Sequence, residues 1–366
     1  MNWLLIFLGF CLLIMLHEAG HYVAAKATGM RVERFFLFFG PTIWSFKRGE
    51  TEYGVKSIPL GGYVKISGMN PEEELPPGEE HRAYHRQKVW KRIVVVAAGP
   101  AVNIVLAFVI LYFVAFSAAA VQTTISKVMP DSPAAAASLV PGDKLVAVDG
   151  KSFSDTGEEQ RAVKFGETIS GHECAENTPH EGCRATTPVR LQIERPDGTT
   201  RTALVYPTYD GKTKRMRVGV EYAIAPAASS AGEAVSYASD RMWTVVSGTA
   251  HVFSHIFEAE QRKQISGIVG TSDAANQVID FGVVPALLLL ALVSLSLGLI
   301  NLLPILPLDG GHIFWAIVEK ARRKPASVRS MERATIVGIA IVVVLFCIGL
   351  SNDVGRIAAG EVLGPK

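Results

Sequence analysis

The amino-terminal apolar segment carries ionisable groups where a membrane-spanning helix is expected. From Trp3 to Ala25 the chain is apolar and long enough to cross the hydrocarbon core of a bilayer, which takes about 20 helical residues. His17, Glu18 and His21 nevertheless lie inside this segment. An ionisable group at mid-bilayer costs about 2.5–3.5 kcal/mol, and such groups usually serve a function. The segment is therefore expected to be a helix that holds a functional site inside the membrane.

The spacing of these residues predicts a metal site. His17 and His21 are four residues apart, so on a helix they project from one face and can bind the same ion. Glu18 is then positioned to take a proton from water beside that ion. The pattern His-Glu-x-x-His is typical of zinc hydrolases, and we expect one Zn²⁺ per chain. Packing of these side chains against neighbouring helices is the structural alternative.

Composition indicates a membrane protein with a soluble part. Of the 366 residues 49% are hydrophobic and 19% are charged, which is too apolar for an ordinary soluble protein and too charged for one wholly in the membrane. The first segment lacks a basic leader region and a small-residue cleavage site, so it is expected to be retained. The net charge of +2 gives no indication of nucleic-acid binding. Four segments are predicted to span the bilayer: Trp3 to Ala25, Ile93 to Val121, Phe281 to Leu303 and Ala334 to Leu350.

The distribution of basic residues predicts the orientation of these spans. Two loops are basic, one between the first and second spans and one between the third and fourth. Because basic loops stay on the cytoplasmic side, both chain ends and the segment 122–280 are expected to be extracytoplasmic. The basic residues are Lys26, Lys47, Arg48, Lys88, Lys91 and Arg92 in the first loop, and Lys320, Arg322, Arg323, Lys324, Arg329 and Arg333 in the second.

The extracytoplasmic segment is predicted to be a small β-rich domain followed by a helix. Alternating residues predict strands at 124–128, 144–148, 189–194 and 201–206, with a tight turn at Asp149-Gly150. The sequence Ser132-Pro133-Ala134 through Pro141-Gly142-Asp143 resembles the signature of bacterial PDZ domains. Such a domain would bind peptide termini by strand addition, or it would only shield the membrane site. Apolar residues at helical spacing predict an amphipathic helix at 233–261 that lies along the outer membrane face.

The third metal ligand is predicted far downstream. Position 27 is alanine where a metzincin would have histidine, which excludes that class. In 301–312 two prolines break the third span, so Asp309 is expected in irregular backbone at membrane depth, where it would line a cavity. With the first helix running inward, His17 and His21 lie at a similar depth. A glutamate, Glu33 or Glu319, is the alternative third ligand.

Over nearly its whole length the chain resembles the site-2 protease family of intramembrane zinc metalloproteases, in the bacterial branch typified by the regulator-of-sigma-E protease. HEAGH matches the family's HExxH, and NLLPILPLDGG follows its NxxPxPxLDG, with the second proline one residue late. The resemblance implies His17, His21 and Asp309 as zinc ligands, Glu18 as general base and Asn301 as a substrate-binding residue. It also matches Gly99 to Asn103 to the GxxxN motif of the second span, with Asn103 as a further substrate-binding residue. Packing of the helices through small residues, with the asparagine bridging them, is the alternative.

The cytoplasmic loop from Met30 to Met69 is predicted to form a β-sheet. Phe35 to Phe39 and Tyr63 to Ile66 are predicted strands, with turns at Gly40-Pro41 and Gly61-Gly62. The loop resembles the family's membrane-associated sheet, which implies that Gly61 and Gly62 contact an extended substrate. A sheet that only closes the cytoplasmic side is the alternative.

These inferences combine into one predicted architecture. We expect a polytopic α-helical membrane protein with about four transmembrane helices, a membrane-associated β-sheet loop and one inserted extracytoplasmic PDZ-like domain. The predicted parts are 1–121, with the HExxH helix, the β-sheet loop and the second span; 122–207, the PDZ-like domain; 208–280, a linker and the amphipathic helix; and 281–366, with the LDG motif and the fourth span. Cys174 and Cys183 lie in the predicted extracytoplasmic part and are expected to form a disulfide. A surface metal site that includes His172 and His180 is the alternative.

The predicted function is regulated intramembrane proteolysis in a bacterial inner membrane. The partners would be the lipid bilayer and single-span proteins, such as anti-sigma factors or signal-peptide remnants, cut within or near the transmembrane segment. A membrane protease with a glutamate as third ligand and a catalytically silent PDZ scaffold remain as alternatives.

Overall fold

The computed structural model describes residues 2–358 apart from 71–72, 76, 155, 177–178, 256–257, 259–277, 279–281 and 325. The chain divides into two compact units, Met1–Leu111 with Met242–Lys366 (the membrane unit) and Tyr112–Arg241 (the inserted unit). The helices are α1 (Asn2–Ala27), α2 (Val89–Val114), α3 (Pro133–Ala136), α4 (Glu158–Ser170), α5 (Ala231–Ser254), α6 (Val283–Asn301), α7 (Asp309–Arg322) and α8 (Val328–Ala358). The strands are β1 (Val32–Arg48), β2 (Thr51–Ile66), β3 (Ala119–Val128), β4 (Lys144–Val148), β5 (Val189–Glu194), β6 (Thr200–Val205), β7 (Thr208–Asp210), β8 (Arg215–Arg217) and β9 (Val220–Pro226).

Four of the described helices are long and apolar enough to cross a membrane. They are Leu4–Ala27, Val89–Val114, Val283–Asn301 and Val328–Gly355. The second is shorter than predicted, because α2 ends at Val114 and β3 already begins at Ala119. Ala119 pairs with Pro226 and Val121 with Ile224, so this apolar segment is used as a strand instead of as the end of the span.

The third span is interrupted as the two prolines predict, but Asp309 is not in irregular backbone. Helix α6 ends at Asn301, and α7 begins at Asp309 itself after an extended Leu308. The acidic side chain at a helix amino terminus also suits the helix dipole. Gly310 lies directly against the carbonyl group of Leu302, so a larger residue there would displace the turn that holds Asp309.

The loop from Met30 to Met69 forms two long paired strands, β1 and β2, instead of short strands separated by turns. Each strand bends and so contributes two segments to the sheet. Phe35 is therefore paired with Val64 on one side and with Tyr53 on the other. The bends lie at Gly40 and Gly61, whose φ angles of 84° favour glycine. The predicted turns are therefore bends within continuous strands.

Ion pairs connect the turn between β1 and β2 to the linker that precedes α2. Glu50 accepts a hydrogen bond of 2.7 Å from Nη1 of Arg82 and also pairs with Lys26. The contact with Arg82 lowers the pKa of Glu50 to about 2. The linker itself contains two short 3-10 helices, Glu80–Arg82 and Tyr84–Arg86.

The inserted unit is built on a five-stranded antiparallel sheet. Its strand order is β6-β5-β4-β3-β9. One face packs against α4, whose Phe165 is fully buried among Leu145, Leu191 and Ile193. The alternation of buried and exposed residues in β5 matches a sheet with one face on the core.

The predicted bounds of this unit are corrected by the structure. β9, at 220–226, pairs with β3 and completes the sheet, so the domain does not end at residue 207. The unit extends over Tyr112–Arg241 and includes the start of α5. The predicted amphipathic helix begins two residues earlier than expected and is described to Ser254; residues 256–257 and 259–261 of its predicted end lie outside the described residues.

Candidate metal centre

Three side chains predicted as ligands meet in the membrane unit. Nε2 of His17 and Nε2 of His21 lie 3.2 Å apart, and Oδ2 of Asp309 lies 3.2 Å from the first and 3.3 Å from the second. The two histidines come from one face of α1 and the aspartate from the first residue of α7. The histidines are 7% and 9% exposed, so the cluster is enclosed by protein.

The geometry of this cluster suits a tetrahedral metal ion. Ligands held about 2.0 Å from zinc at tetrahedral angles lie about 3.3 Å from one another, close to the three observed separations. Oδ2 of Asp309 is buried without a hydrogen-bond partner. Buried polar atoms without partners are costly, so a cation between the three atoms would satisfy this oxygen. Two imidazoles and a carboxylate are also a donor set that zinc prefers. Among the described residues this is the one such group of three or more.

Helix α2 approaches the two histidines closely at Gly99. A Cβ atom at this position would lie 2.9 Å from Nε2 of His17 and 2.6 Å from Cε1 of His21. On the other side, Nδ1 of His21 lies 2.9 Å from the carbonyl oxygen of Val95. The sequence analysis identified Gly99 only as part of a motif. It predicted neither the space that this glycine leaves for the two imidazoles nor the contact between Val95 and His21.

Glu18 lies on α1 next to the predicted ligands and against the second strand of the sheet formed by β1 and β2. A Cβ atom at Gly62 would lie 3.0 Å from both Cδ of Glu18 and Cγ2 of Ile14. Glycine at this position therefore lets β2 pass beside the carboxylate. Gly61 forms the bend of the same strand against Phe39. The sheet thus reaches the predicted general base, as the resemblance implied.

The other predicted substrate-binding residues have different environments. Asn301 is half-buried at the last turn of α6, before the break that leads to Asp309. Asn103, in contrast, is fully buried, and its amide nitrogen lies 3.2 Å from Nδ1 of His17. The substrate contact predicted for Asn103 stays a prediction, which this enclosed position behind His17 does not favour.

The two glutamates considered as alternative ligands are held elsewhere. Oε2 of Glu33 lies 2.7 Å from Nζ of Lys65. Glu319 receives two hydrogen bonds from the guanidinium group of Arg92, of 2.7 and 3.0 Å. Neither belongs to the ligand cluster, which favours Asp309 as the third ligand. The pair formed by Glu319 also ties the end of α7 to the start of α2.

A groove in the inserted unit is a second candidate site. It has a volume of about 740 Å³ and lies between α4 and the segment from Thr213 to Tyr222, with Val163, Gly166 and Ile169 on the helix side. β9 is the edge strand of the sheet here. A free edge beside a helix can accept an extended peptide as an additional strand.

The cysteines of the inserted unit are close enough to bond. Cys174 and Cys183 have Cα atoms 5.9 Å apart and are joined through their sulfur atoms. This separation is ordinary for a disulfide. Cys11 and Cys347 are free thiols.

Comparison with known proteins identifies related sequences over most of the chain. The model of peptidase family M50 matches residues 5–345. The zinc metalloprotease Rip1 of Mycobacterium tuberculosis (strain ATCC 25618 / H37Rv) is 31% identical over 352 residues, which cover 88% of this chain and 86% of Rip1. A Rhizobium meliloti (strain 1021) protein, named provisionally as a zinc metalloprotease, is 30% identical over 369 residues, covering 94% of this chain and 93% of its own.

Proposed function

The chain belongs to peptidase family M50, the site-2 protease family, and we propose that its substrates are single-span membrane proteins, cut within or near their transmembrane segments. It is an intramembrane zinc metalloprotease. The observation that carries the proposal is the enclosed cluster in which Asp309 meets His17 and His21, two residues of a helix long and apolar enough to cross a membrane. A protease site at that depth is reached by a segment that is itself in the membrane.

The chemistry is divided between the metal and Glu18. His17, His21 and Asp309 would hold the zinc ion, which when bound lowers the pKa of a water molecule to about 7 and polarises the scissile carbonyl group. The carboxylate of Glu18 accepts the proton of the attacking water and then donates it to the leaving amine. Glu18 is adjacent to two ligands on α1, so its position is fixed by the same helix.

The substrate must be extended before it is cut, because the peptide bonds of a helix are enclosed in their own hydrogen bonds. The segment of β2 from Gly62 to Ile66 pairs with β1 and lies beside Glu18 at Gly62. We propose that an unwound substrate segment adds to this part of the sheet as a strand. Main-chain hydrogen bonds would then present the scissile bond to Glu18.

The experiment that tests the proposal compares a variant of the general base with variants that lack one metal ligand. Glu18→Gln should keep zinc and lose cleavage of a reconstituted single-span substrate, since it removes a proton acceptor and no ligand. His17→Ala and Asp309→Ala should lose zinc as well. Glu33→Gln, a carboxylate of the sheet loop outside the ligand cluster, is the matched control and should do neither. Cleavage by Glu18→Gln at the wild-type rate would contradict the proposed chemistry.

Physiological substrates would be identified in the cell. Membrane fragments that accumulate in cells with Glu18→Gln and disappear with the wild-type protein are candidate substrates. We propose that anti-sigma factors or signal-peptide remnants are among them. If the accumulating proteins have no transmembrane segment, the proposed substrate class is wrong.

We propose that the protein resides in a bacterial inner membrane, with the inserted unit and both chain ends on the extracytoplasmic side. The basic residues of the two loops support this orientation by the positive-inside rule. Alkaline phosphatase, which is active only outside the cytoplasm, should be active when fused after residue 212 and inactive when fused after residue 323. The reverse pattern would overturn the orientation.

We also propose that the inserted unit is a PDZ-like domain that selects substrates. The groove between α4 and the edge strand β9 supports this role. Gly166→Trp should block the groove, because a Cβ atom there has nothing within 4 Å and the ring would extend into open space. Leu204→Trp, at a residue 60% exposed and outside the groove, is the control. Loss of peptide binding in both variants, or in neither, would contradict a role for the groove.

Selection by size is tested separately. A substrate with a bulky extracytoplasmic domain should be refused and its truncated form accepted. Replacing residues 119–226 by a flexible linker should allow the intact substrate to be cut while zinc content is unchanged. Equal refusal by a folded, zinc-loaded deletion variant would mean that selection lies in the cytoplasmic sheet or in the stability of the substrate helix.

A further inference from the structure

One stripe of helix α2 faces both histidine ligands. Val95, Gly99 and Asn103 are spaced at four-residue intervals and therefore lie on one side of the helix. Val95 contacts His21, Gly99 leaves room for both imidazole rings, and Asn103 contacts His17. The histidines are themselves four residues apart, so each has its own partner on α2.

The contact with Val95 determines the protonated nitrogen of His21. A carbonyl oxygen only accepts hydrogen bonds, so Nδ1 of His21, 2.9 Å away, must donate. In a neutral imidazole the other nitrogen then carries a lone pair. Nε2 of His21 is the atom that faces Asp309, so the backbone of α2 prepares it as a metal ligand.

The contact with Asn103 determines in the same way which ring nitrogen of His17 carries the proton. Nε2 of His17 also faces Asp309, and binding a metal there requires a proton on Nδ1. The nearest amide atom of Asn103 is Nδ2, at 3.2 Å, which is a donor and cannot accept that proton. The acceptor of the same amide, Oδ1, is buried without a partner. A half-turn of the amide group exchanges the two atoms and places Oδ1 against Nδ1 of His17.

We propose that Asn103 is a positioning residue for the zinc site, with Oδ1 accepting a hydrogen bond from Nδ1 of His17. Together with the Val95 carbonyl oxygen it fixes both imidazoles with their Nε2 lone pairs towards the metal. The hydrogen bond from Oγ of Ser294 on α6, at 2.9 Å, goes to the backbone oxygen of Asn103 and not to its side-chain amide. The amide is fully buried, so water does not take over its role.

This inference rests on the metal site and not on the proposed substrates. Zinc binding is measured without any substrate, so either proposal can fail while the other stands. The two variants that separate an acceptor from a mere packing role are Asn103→Leu, which has a similar shape and no polar atom, and Asn103→Asp, which can only accept when ionised. Ser294→Ala is the matched control, since it is equally buried but does not contact a ligand.

The experiment uses the full-length protein in detergent. Its readouts are the dissociation constant for zinc, from competition with a chelator, and the visible absorption of the cobalt-substituted protein, which reports ligand geometry. Removing an outer partner of a metal-bound histidine typically weakens metal binding by about 10–100-fold. We expect a loss of that size for Asn103→Leu, and binding within about threefold of wild type for Asn103→Asp and Ser294→Ala. The cobalt spectrum of Asn103→Asp should be that of the wild type, because the ligands are unchanged.

Two results would overturn the proposal. One is zinc binding by folded Asn103→Leu within about twofold of wild type. The other is a loss in Asn103→Asp as large as in Asn103→Leu, which would mean that an acceptor is not what His17 requires. If Asn103→Leu does not fold, Asn103→Asp still decides the question, since only the acceptor role predicts that a carboxylate restores binding.

Discussion

At Gly99 a single methyl group should separate zinc binding from helix stability. Replacing glycine by alanine inside a helix ordinarily stabilises it by about 1 kcal/mol. Here the added Cβ atom would lie 2.6 Å from Cε1 of His21 and 2.9 Å from Nε2 of His17. Carbon atoms in contact are about 3.5–4.0 Å apart, so the imidazoles must move by roughly 1 Å. Distances to metal ligands tolerate only about 0.2 Å.

The size of the effect follows from this overlap. Forcing an extra carbon into a packed site costs about 1–3 kcal/mol. If this free energy is lost from the arrangement of the ligands that binds zinc, the affinity for zinc decreases by about 5–150-fold, since 1.4 kcal/mol corresponds to a factor of ten. The assay is zinc content per chain after equilibration with a graded series of chelator concentrations, together with thermal unfolding of the apo protein. Apo Gly99→Ala should unfold no earlier than the apo wild type.

Gly248→Ala is the matched control for this prediction. Gly248 lies in α5, where an added Cβ atom meets nothing within 4 Å. It should leave zinc affinity unchanged. Zinc affinity of Gly99→Ala within twofold of wild type would refute the reasoning, because it would mean that α2 can retreat from the histidines without cost. Equal losses in both variants would assign the effect to helix propensity instead.

Three further predictions concern the ion pairs and the disulfide. Glu319→Gln should destabilise the protein by about 1–3 kcal/mol in thermal unfolding, because it leaves the buried guanidinium of Arg92 without a charged partner. A double replacement of both residues by leucine should cost less. Lowering the pH from 5 to 2 should decrease the free energy of unfolding, because Glu50 has a lower pKa in the folded protein, about 2, than the value near 4.3 of an unfolded chain. Its ionised form stabilises the fold above pH 4.3, and this stabilisation is lost as the pH falls towards 2. Glu50→Gln should make the free energy of unfolding less dependent on pH over this range, and an unchanged dependence would contradict the prediction. Mass spectrometry without reduction should find Cys174 and Cys183 bonded in protein from its native membrane, with Cys174→Ser costing about 2–3 kcal/mol; two free thiols would exclude the bond.

The part of the site that is local in sequence could be predicted, and the family resemblance implied the third ligand. His17 and His21 are on one helix face by spacing alone, and the two prolines near Asp309 required the break in the third span. The position of Asn103 could not be derived in this way. Its partner lies on another helix, and which face of α2 meets α1 depends on how the helices pack, which the apolar sequence of α2 does not encode. An asparagine inside a span indicates only that some partner exists.

The strand pattern was predicted less completely, for two physical reasons. Gly40 and Gly61 are typical turn residues, yet here their positive φ angles bend strands whose ladder continues. The segment from Thr208 to Arg217 is charged, and its two strands are only three residues long. The alternation of polar and apolar residues that indicates a strand cannot be recognised over so few positions. β9 is longer but also lacks a recognisable alternation, since Ile224 is exposed and Ala223 is only half-buried, so its two faces are hardly distinguished.

The metal ligands come from opposite ends of the chain, and this determines when during synthesis the enzyme can become active. The ribosome delivers α1 first, and α1 enters the bilayer with two histidines and no third ligand. All of the inserted unit is synthesised before α7, because Asp309 follows it in the sequence. Until then the nascent protein cannot attack neighbouring membrane proteins, including those being inserted beside it. The order of residues along the chain thus acts as a safeguard that needs neither a propeptide nor an inhibitor.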